Sequence, residues 1–434
     1  MVRSSTDETQ ELFVRLLAAT FTIKPLSFSQ DLPSMTNGEG GTVPPSKWPD
    51  LRTISDPDDV VSITASILPN ISRILVDTDR IIAATTTIST QILTPTLRWK
   101  AFPHNVTEST LEILKIMSKI PEASKIWRKD VAEAFSDSRF FYTSSLDLVH
   151  QGWMPILRQW VLLDKDRMTD LLSRLSSPTS AGIMFGVGAS SARLEADRKA
   201  QLNLRRMALL ILSADHDTFI VNLGSLQEKL VDLMTATAAS SPSSITRAEI
   251  YMVLRSLIQR VTPVHLASLW PIISTELHEA LSSLSHMQAN DRHSVTCALQ
   301  AAKLLDVLLI IGPDDFQLRE WLFISDTIDA VYRPADWKPI ALVDELAEGL
   351  DAKASTPQSA TVPTVTAQQG RQPLLAWSAV HDVPKEKLVD QVLRPFLRQL
   401  SITTFENTYK MEAVDLQACS DDLVRDLFDE TTLV

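Results

Sequence analysis

The sequence predicts an all-α fold, a solenoid of HEAT or armadillo-like antiparallel helix pairs ending in a short helical tail. Three observations carry that expectation. The 434 residues include only 11 glycines, too few for the tight turns of a β-rich chain of this length. Alternating runs of Val, Ile, Thr and Tyr are scarce, with 4 Tyr in the whole chain. Apolar residues instead return every third or fourth position over long stretches, the period of one helix face.

Residues 1–56 read as one short helix followed by a linker, because the stretch from Lys24 to about Asp59 clusters Pro, Ser, Asn-Gly and Gly-Gly. Asp56 and Pro57 then suit the cap and first residue of a helix, where the missing proline N–H costs nothing. Residues 57–352 form the helical body. Phe219, Leu223, Leu226, Leu230 and Leu233 share one helical stripe, and Ile250, Val253, Leu254, Leu257, Ile258 and Val261 share another. Thr246 and Glu249 have capping-box spacing. Thr262-Pro263 opens a helix with the stripe Leu266, Leu269, Trp270, Ile273, Leu277, Leu281 and Leu284, which Pro271 should kink. Val295, Leu299, Ala302 and Leu305 mark the next, which ends at Gly312-Pro313. Connections this short make neighbouring helices antiparallel, and their pairs recur on the scale of about 40 residues, without an exact repeated motif. Residues 353–373 lack acidic side chains and are rich in Ala, Ser, Thr, Pro and Gln, the composition of a linker. Residues 374–434 are the tail.

Within the tail, a helix over Lys385–Leu400 places Lys387, Arg394 and Arg398 on one face and Leu388, Val389, Val392, Leu393, Phe396 and Leu400 on the opposite arc, with a bend at Pro395. Two readings stand side by side: the basic face contacts anionic lipid or an acidic partner groove, or the apolar arc packs on the body while the basic face meets the acidic end of the chain. That end carries Glu406, Glu412, Asp415, Asp421, Asp422, Asp426, Asp429 and Glu430 against Lys410 and Arg425.

The net charge of −12 argues against wrapping nucleic acid, which needs a concentrated basic face. Cys297 and Cys419 are far apart and form no CxxC pair, so neither a disulfide framework nor a zinc site is expected, and a reducing cytosol fits. The N-terminus is polar rather than signal-like, and the sequons at Asn70 and Asn105 read as chance. No uncharged apolar run reaches the roughly 18 residues of a membrane-spanning helix, so membrane contact is expected to be peripheral. His265 with His278, and His286 with His293, miss the i, i+4 spacing of a shared metal. Asp215-His216-Asp217 lacks a strand-borne nucleophile to serve, and Asp215 reads as a helix cap. Gly182, Gly186 and Gly188 follow no strand and lack the Lys-Ser/Thr of a phosphate loop, so they read as a flexible loop. Trp270 and Trp321 fall on apolar stripes and should be core. No catalytic, metal or cofactor residue is therefore assigned, and an enzyme would need a convergent polar pocket that the sequence does not display.

Several segments, in order, resemble the C-terminal region of Dopey proteins. They are Trp127-Arg128-Lys129-Asp130 with Phe135 and Phe140-Phe141, then Leu204-Arg205-Arg206-Met207-Ala208, then Leu226 to Val231. The most specific is Val261 to Ile273, containing Leu269-Trp270-Pro271, with Glu276-Leu277; after it comes Phe316-Gln317-Leu318-Arg319-Glu320-Trp321-Leu322-Phe323, with Arg319 where animal members are expected to carry an aromatic residue. The resemblance covers about Leu111 to Tyr332 and marks helix cores rather than an active site. It implies a fungal-type peripheral scaffold of Golgi and endosome traffic that assembles with an Arf-exchange-factor-like protein, with an aminophospholipid flippase and with itself. It also implies a fragment or truncated gene model, since full Dopey proteins are several times longer and carry a separate N-terminal domain.

Overall fold

A computed structural model describes residues 7–23, 57–98, 100, 102–143, 145–175, 189–235, 244–286, 294–325, 338, 341–353, 370–410 and 412–433. Among these residues there is no strand, and Arg371 and Val414 form an isolated parallel bridge. The longer helices are α1 (Asp7–Ile23), α2 (Pro57–Ile67), α3 (Thr78–Ile88), α4 (Glu108–Met117), α5 (Ser124–Ser136), α6 (Met154–Leu163) and α7 (Arg167–Ser173). After them come α8 (Ala189–Ser213), α9 (Ile220–Thr235), α10 (Ser244–Arg260), α11 (Trp270–Ser282), α12 (Val295–Ile311), α13 (Leu342–Lys353), α14 (Arg394–Lys410) and α15 (Leu416–Leu427). The fold is all-α, as the glycine count and apolar periodicity predict. The chain divides into two compact units, Met1–Trp160 and Val161–Val434.

In the first unit α1 packs on α3 and α2 on α4. Its core is aromatic: Phe140 lies edge-on to Phe135 at 5.2 Å and to Trp153 at 5.0 Å between ring centroids. The buried Asp130 accepts hydrogen bonds from Ser89 at 2.5 Å and Thr94 at 3.2 Å, with Arg98 at 3.6 Å. These bonds tie α5 to the turn after α3.

In the second unit alternate helices sort into two rows, a solenoid-like arrangement. One row is α8, α10 and α12, side by side. The other runs through α7, α9, the 3₁₀ turn Pro263–Leu269 with α11, and α13. The stripes read from α9, α10 and α11 are buried throughout. In α10, however, burial extends all round, from Thr246 to Ile258. One side meets its neighbours in the array, and the tail helix α15 covers α8 and α10 on another.

Three π-helical turns, Ser89–Leu93, Leu148–Trp153 and Val389–Leu393, each precede a proline by two residues: Pro95, Pro155 and Pro395. In each, the residue before the proline donates its N–H five residues back, Thr94 to Ser89, Met154 to Val149 and Arg394 to Val389. Proline has no N–H for the normal helical bond and its ring crowds the carbonyl four residues back. A widened turn relieves both defects. Pro271 behaves differently from the expected kink. It sits in the first turn of α11, where the 3₁₀ turn Pro263–Leu269 gives way to α-helix and a missing N–H is harmless.

Two further expectations are corrected. Thr246 and Glu249 form no capping box, because α10 already begins at Ser244; Thr246 donates to Asp197 at 3.3 Å and Glu249 binds α8. Within Asp215-His216-Asp217, Asp217 ties this turn to Thr262. It adopts φ 62° and accepts from Thr262 N at 2.8 Å and Thr262 Oγ1 at 2.6 Å. Trp321 is 65% exposed, since the chain there turns through a 3₁₀ segment, Glu320–Leu322, and Phe316 and Phe323 take the inward positions. The 182–188 glycines, residues 24–56 and residues 354–369 lie outside the described residues.

Candidate functional site

The row formed by α8, α10 and α12 is crossed by the tail, and the contact is built on buried charge. Arg205 of α8 and Arg255 of α10 have no exposed side-chain surface, and Lys303 of α12 is 2% exposed. Arg255 Nη1 donates to Asp426 Oδ2 and Nη2 to Asp422 Oδ2, both at 2.6 Å, so one guanidinium spans two carboxylates of α15. Lys303 Nζ donates to Asp426 Oδ1 at 2.7 Å and lies 3.5 Å from Asp422. Arg205 Nε donates to Glu249 at 2.9 Å, while its Nη atoms reach Leu427 O at 2.8 Å and Thr432 Oγ1 at 2.5 Å. Asp306 of α12 accepts the backbone N–H of Leu375 at 2.9 Å, and Asp422 accepts that of Trp377 at 2.5 Å.

Three cations here face four carboxylates, Glu249, Asp306, Asp422 and Asp426. Burial opposes ionisation of all four, but for Asp426 the charges of Lys303 and Arg255 outweigh it and hold the carboxyl below its usual range. For Asp422 and Glu249 burial prevails and raises the carboxyl. Asp306 is pushed up to about 7, chiefly by burial, which brings the titration of the surplus acid close to physiological pH.

The residues that follow the two carboxylates are apolar and buried. Asp422-Leu423-Val424-Arg425-Asp426-Leu427-Phe428 repeats an acid followed by two large apolar residues at an interval of four. All six of those residues are buried and Arg425 is not. Residues four apart share one helix face, so both carboxylates descend together onto Arg255.

A second buried pair, Arg247 of α10 with Glu276 of α11, is completed by Arg247 Nη2 donating to Met234 O at 2.9 Å and by the Tyr251 hydroxyl at 3.4 Å from Glu276. It ties α9, α10 and α11 together. Burial pushes the Cys297 thiol beside it, and that of Cys419 in α15, up to about 12, so neither supplies a thiolate at neutral pH. No group of three or more His, Cys, Asp or Glu side chains suited to a metal occurs among the described residues. The same residues contain no helix long and apolar enough to cross a membrane.

A family model described as DOP1 C-terminal matches residues 3–410. The chain belongs to the Dopey family. Protein dop1 of Emericella nidulans is 48% identical over 429 residues, 98% of this chain and 23% of that relative. Protein DOP1 of Saccharomyces cerevisiae is 29% identical over 353 residues, and mouse DOP1B 25% identical over 246. The matches cover 19% and 10% of those two relatives, so the chain corresponds to less than a quarter of the length of any of the three. No solved structure matches.

The residues that carry the Dopey resemblance are mostly core. Trp127, Phe135, Phe140, Phe141, Leu269, Trp270, Leu277, Phe316 and Phe323 are buried, with Phe316 6.2 Å from Trp270 and 6.0 Å from Phe323 between ring centroids. Glu276 is the buried partner of Arg247. Gln317 is exposed and donates to Gly312 O at 2.8 Å, satisfying the end of α12 where Gly312 takes φ 59°. Pro271 and Trp321 lie at the surface.

Lys387, Arg394 and Arg398 do not form one exposed basic face. The π turn Val389–Leu393 inserts one extra residue per turn and rotates the downstream helix by about 100° relative to a straight one. Lys387 is exposed; Arg394 is buried, 3.8 Å from Asp390; Arg398 is half-exposed, 3.5 Å from Asp351. The apolar arc packs as expected, with Leu388, Val392, Leu393, Phe396 and Leu400 buried. The acidic end, in contrast, meets the cations of α8, α10 and α12 rather than the basic helix. Sequence periodicity missed this site because Arg255 and Lys303 sit inside helices that read as apolar stripes. The available signal was the presence of charges at positions flanked on both sides by core residues.

Proposed function

We propose that this Dopey-family chain is a non-enzymatic assembly region of a Golgi–endosome trafficking scaffold. It binds an Arf-exchange-factor-like partner, contributes to assembly with an aminophospholipid flippase and with a second copy, and contacts membranes only peripherally. The observation that carries the reading is the family match across residues 3–410, joined to an array whose buried polar groups are spent on holding helices together. A pull-down from cytosol with the purified chain, with mass spectrometry of what is retained and light scattering of the chain alone, tests it. Recovery of the exchange-factor-like protein, or a dimeric bait, supports it; a monomer that retains nothing refutes it for this region. The alternative is recognition of anionic headgroups through Lys387, Arg394 and Arg398. It draws less support, because Arg394 is turned inward. Flotation with anionic liposomes, comparing the wild-type chain with Lys387→Glu/Arg398→Glu, separates the two: loss of flotation in the variant favours lipid binding.

A further inference from the structure

We infer that the face of α8, α10 and α12 is a groove that recognises acidic amphipathic helices. Its code is Asp, two large apolar residues, any residue, Asp, two large apolar residues; the chain's own α15 occupies it as a replaceable ligand. The partner it fits is a protein presenting the same pattern on a helix, which binds by exchanging with Asp422 to Phe428. The inference deepens the scaffold reading and rests on it only for the identity of the eventual partner.

Charge complementarity sets what the groove accepts. Arg205, Arg255 and Lys303 are buried against the tail, and Arg255 and Lys303 answer Asp422 and Asp426 directly. A cation left in such a place without a carboxylate is strongly unfavourable, so a neutral or basic helix is rejected and the groove is stable only when filled by acids. The spacing of the acceptors is read as well. One guanidinium bridges both carboxylates at 2.6 Å, which only residues one helical turn apart can satisfy. Leu423, Val424, Leu427 and Phe428 are buried around the two acids, and the exposed Arg425 lies over the Trp377 ring, 5.6 Å from its centroid, at the position left free of the three cations. Buried ion pairs gain little over solvated ions once desolvation is counted. An incoming helix with the same charges therefore competes on nearly equal terms, against the advantage that α15 holds by being tethered.

The test uses the full chain and a fluorescent synthetic peptide of residues 412–434, read by anisotropy. The tether gives α15 a high effective concentration, so the wild-type chain should capture the peptide poorly. The Asp422→Asn/Asp426→Asn chain, whose own helix is weakened, should bind it at least tenfold more tightly. A peptide carrying the same two Asn changes should not bind. Capture of neither peptide by the folded variant, or of both equally, overturns the proposal. Hydrogen exchange on the wild-type chain gives a second reading that needs no variant. Residues 416–427 should exchange at least tenfold faster than residues 250–258, and equal rates would make α15 a fixed part of the core and overturn replaceability. Peptide capture together with an empty pull-down would uphold the groove while failing the scaffold partner, so the two readings fail separately.

Discussion

Replacing Arg255 by Met isolates the charge that joins α10 to α15. The guanidinium makes 2.6 Å bonds to Asp422 and Asp426 and a 3.1 Å bond to Gln300, with no exposed surface. Removing one partner of a buried pair costs about 3–5 kcal/mol, because the remaining charge is left desolvated. Here the lower end applies. Asp426 keeps Lys303 at 2.7 Å and Asp422 keeps the Trp377 N–H at 2.5 Å, so neither acid is wholly abandoned. Urea unfolding followed by far-ultraviolet circular dichroism should show a loss of about 3 kcal/mol, which at a slope of about 3 kcal/mol/M lowers the midpoint by about 1 M. Arg255→Met/Asp422→Asn removes a cation and an acid together and leaves Lys303 with Asp426. It should lose about 1–3 kcal/mol less than the sum of the single variants. A single variant within about 0.2 M of wild type, or strict additivity in the double, would refute the claim that these charges are coupled and buried; the 0.2 M threshold is well below the shift expected from the loss of a buried pair.

Three further outcomes concern other sites. Asp306 is held up to about 7 against an ordinary 3.8. Between about pH 4 and 7 the native state thus keeps a proton that the unfolded chain has shed, and this group makes stability fall as pH rises through that window and level off above it. Asp306→Asn cannot ionise, so its melting temperature should exceed wild type at pH 8 and match it at pH 4; a difference independent of pH would show that Asp306 is not the titrating group. Gly152→Ala should lose about 1–3 kcal/mol in a melt, because a Cβ there collides with the Leu111 side chain, and an unchanged melting temperature would mean that Leu111 yields freely. Trp270→Ala should cost about 3–5 kcal/mol in the same assay. Trp321→Ala, at a surface position, should stay within about 0.5 kcal/mol, and equal losses would contradict the exposure difference between the two.

The all-α architecture and the stripes of α9, α10 and α11 were legible because each depends on short-range periodicity. Phe219 to Leu233 and Leu266 to Leu284 need only one apolar side to be recognised. What was not legible depends on events between distant segments. The register of Lys387, Arg394 and Arg398 failed because a widened turn before Pro395 rotates the helix, although Pro395 itself was visible as a source of disturbance. Trp321 failed because burial was read from a period that the chain abandons after Gln317. Its neighbours Phe316 and Phe323, seven residues apart, still meet through a turn rather than along a helix.

The charged groove explains why the acidic end of the tail packs as the buried helix α15. A helix such as α10, buried from Thr246 to Ile258, has no polar face to give away its orientation, so each charge within it must find a partner elsewhere in the chain. Arg205, Glu249 and Arg255 are such charges, and among the tail acids only Asp422 and Asp426 are at once acidic, one helical turn apart and flanked by large apolar residues. Buried in α10 and α12, the cations Arg255 and Lys303 demand acids from another element, and the tail helix supplies them. Cations buried in an apolar-period helix and an acid-apolar-apolar repeat far away in sequence are two halves of one contact. Neither half is informative alone: Arg255 without Asp422 reads as an anomaly of a core helix, and Asp422 without Arg255 as part of a solvated acidic tail. Packing desolvates both, and desolvation makes their pairing specific.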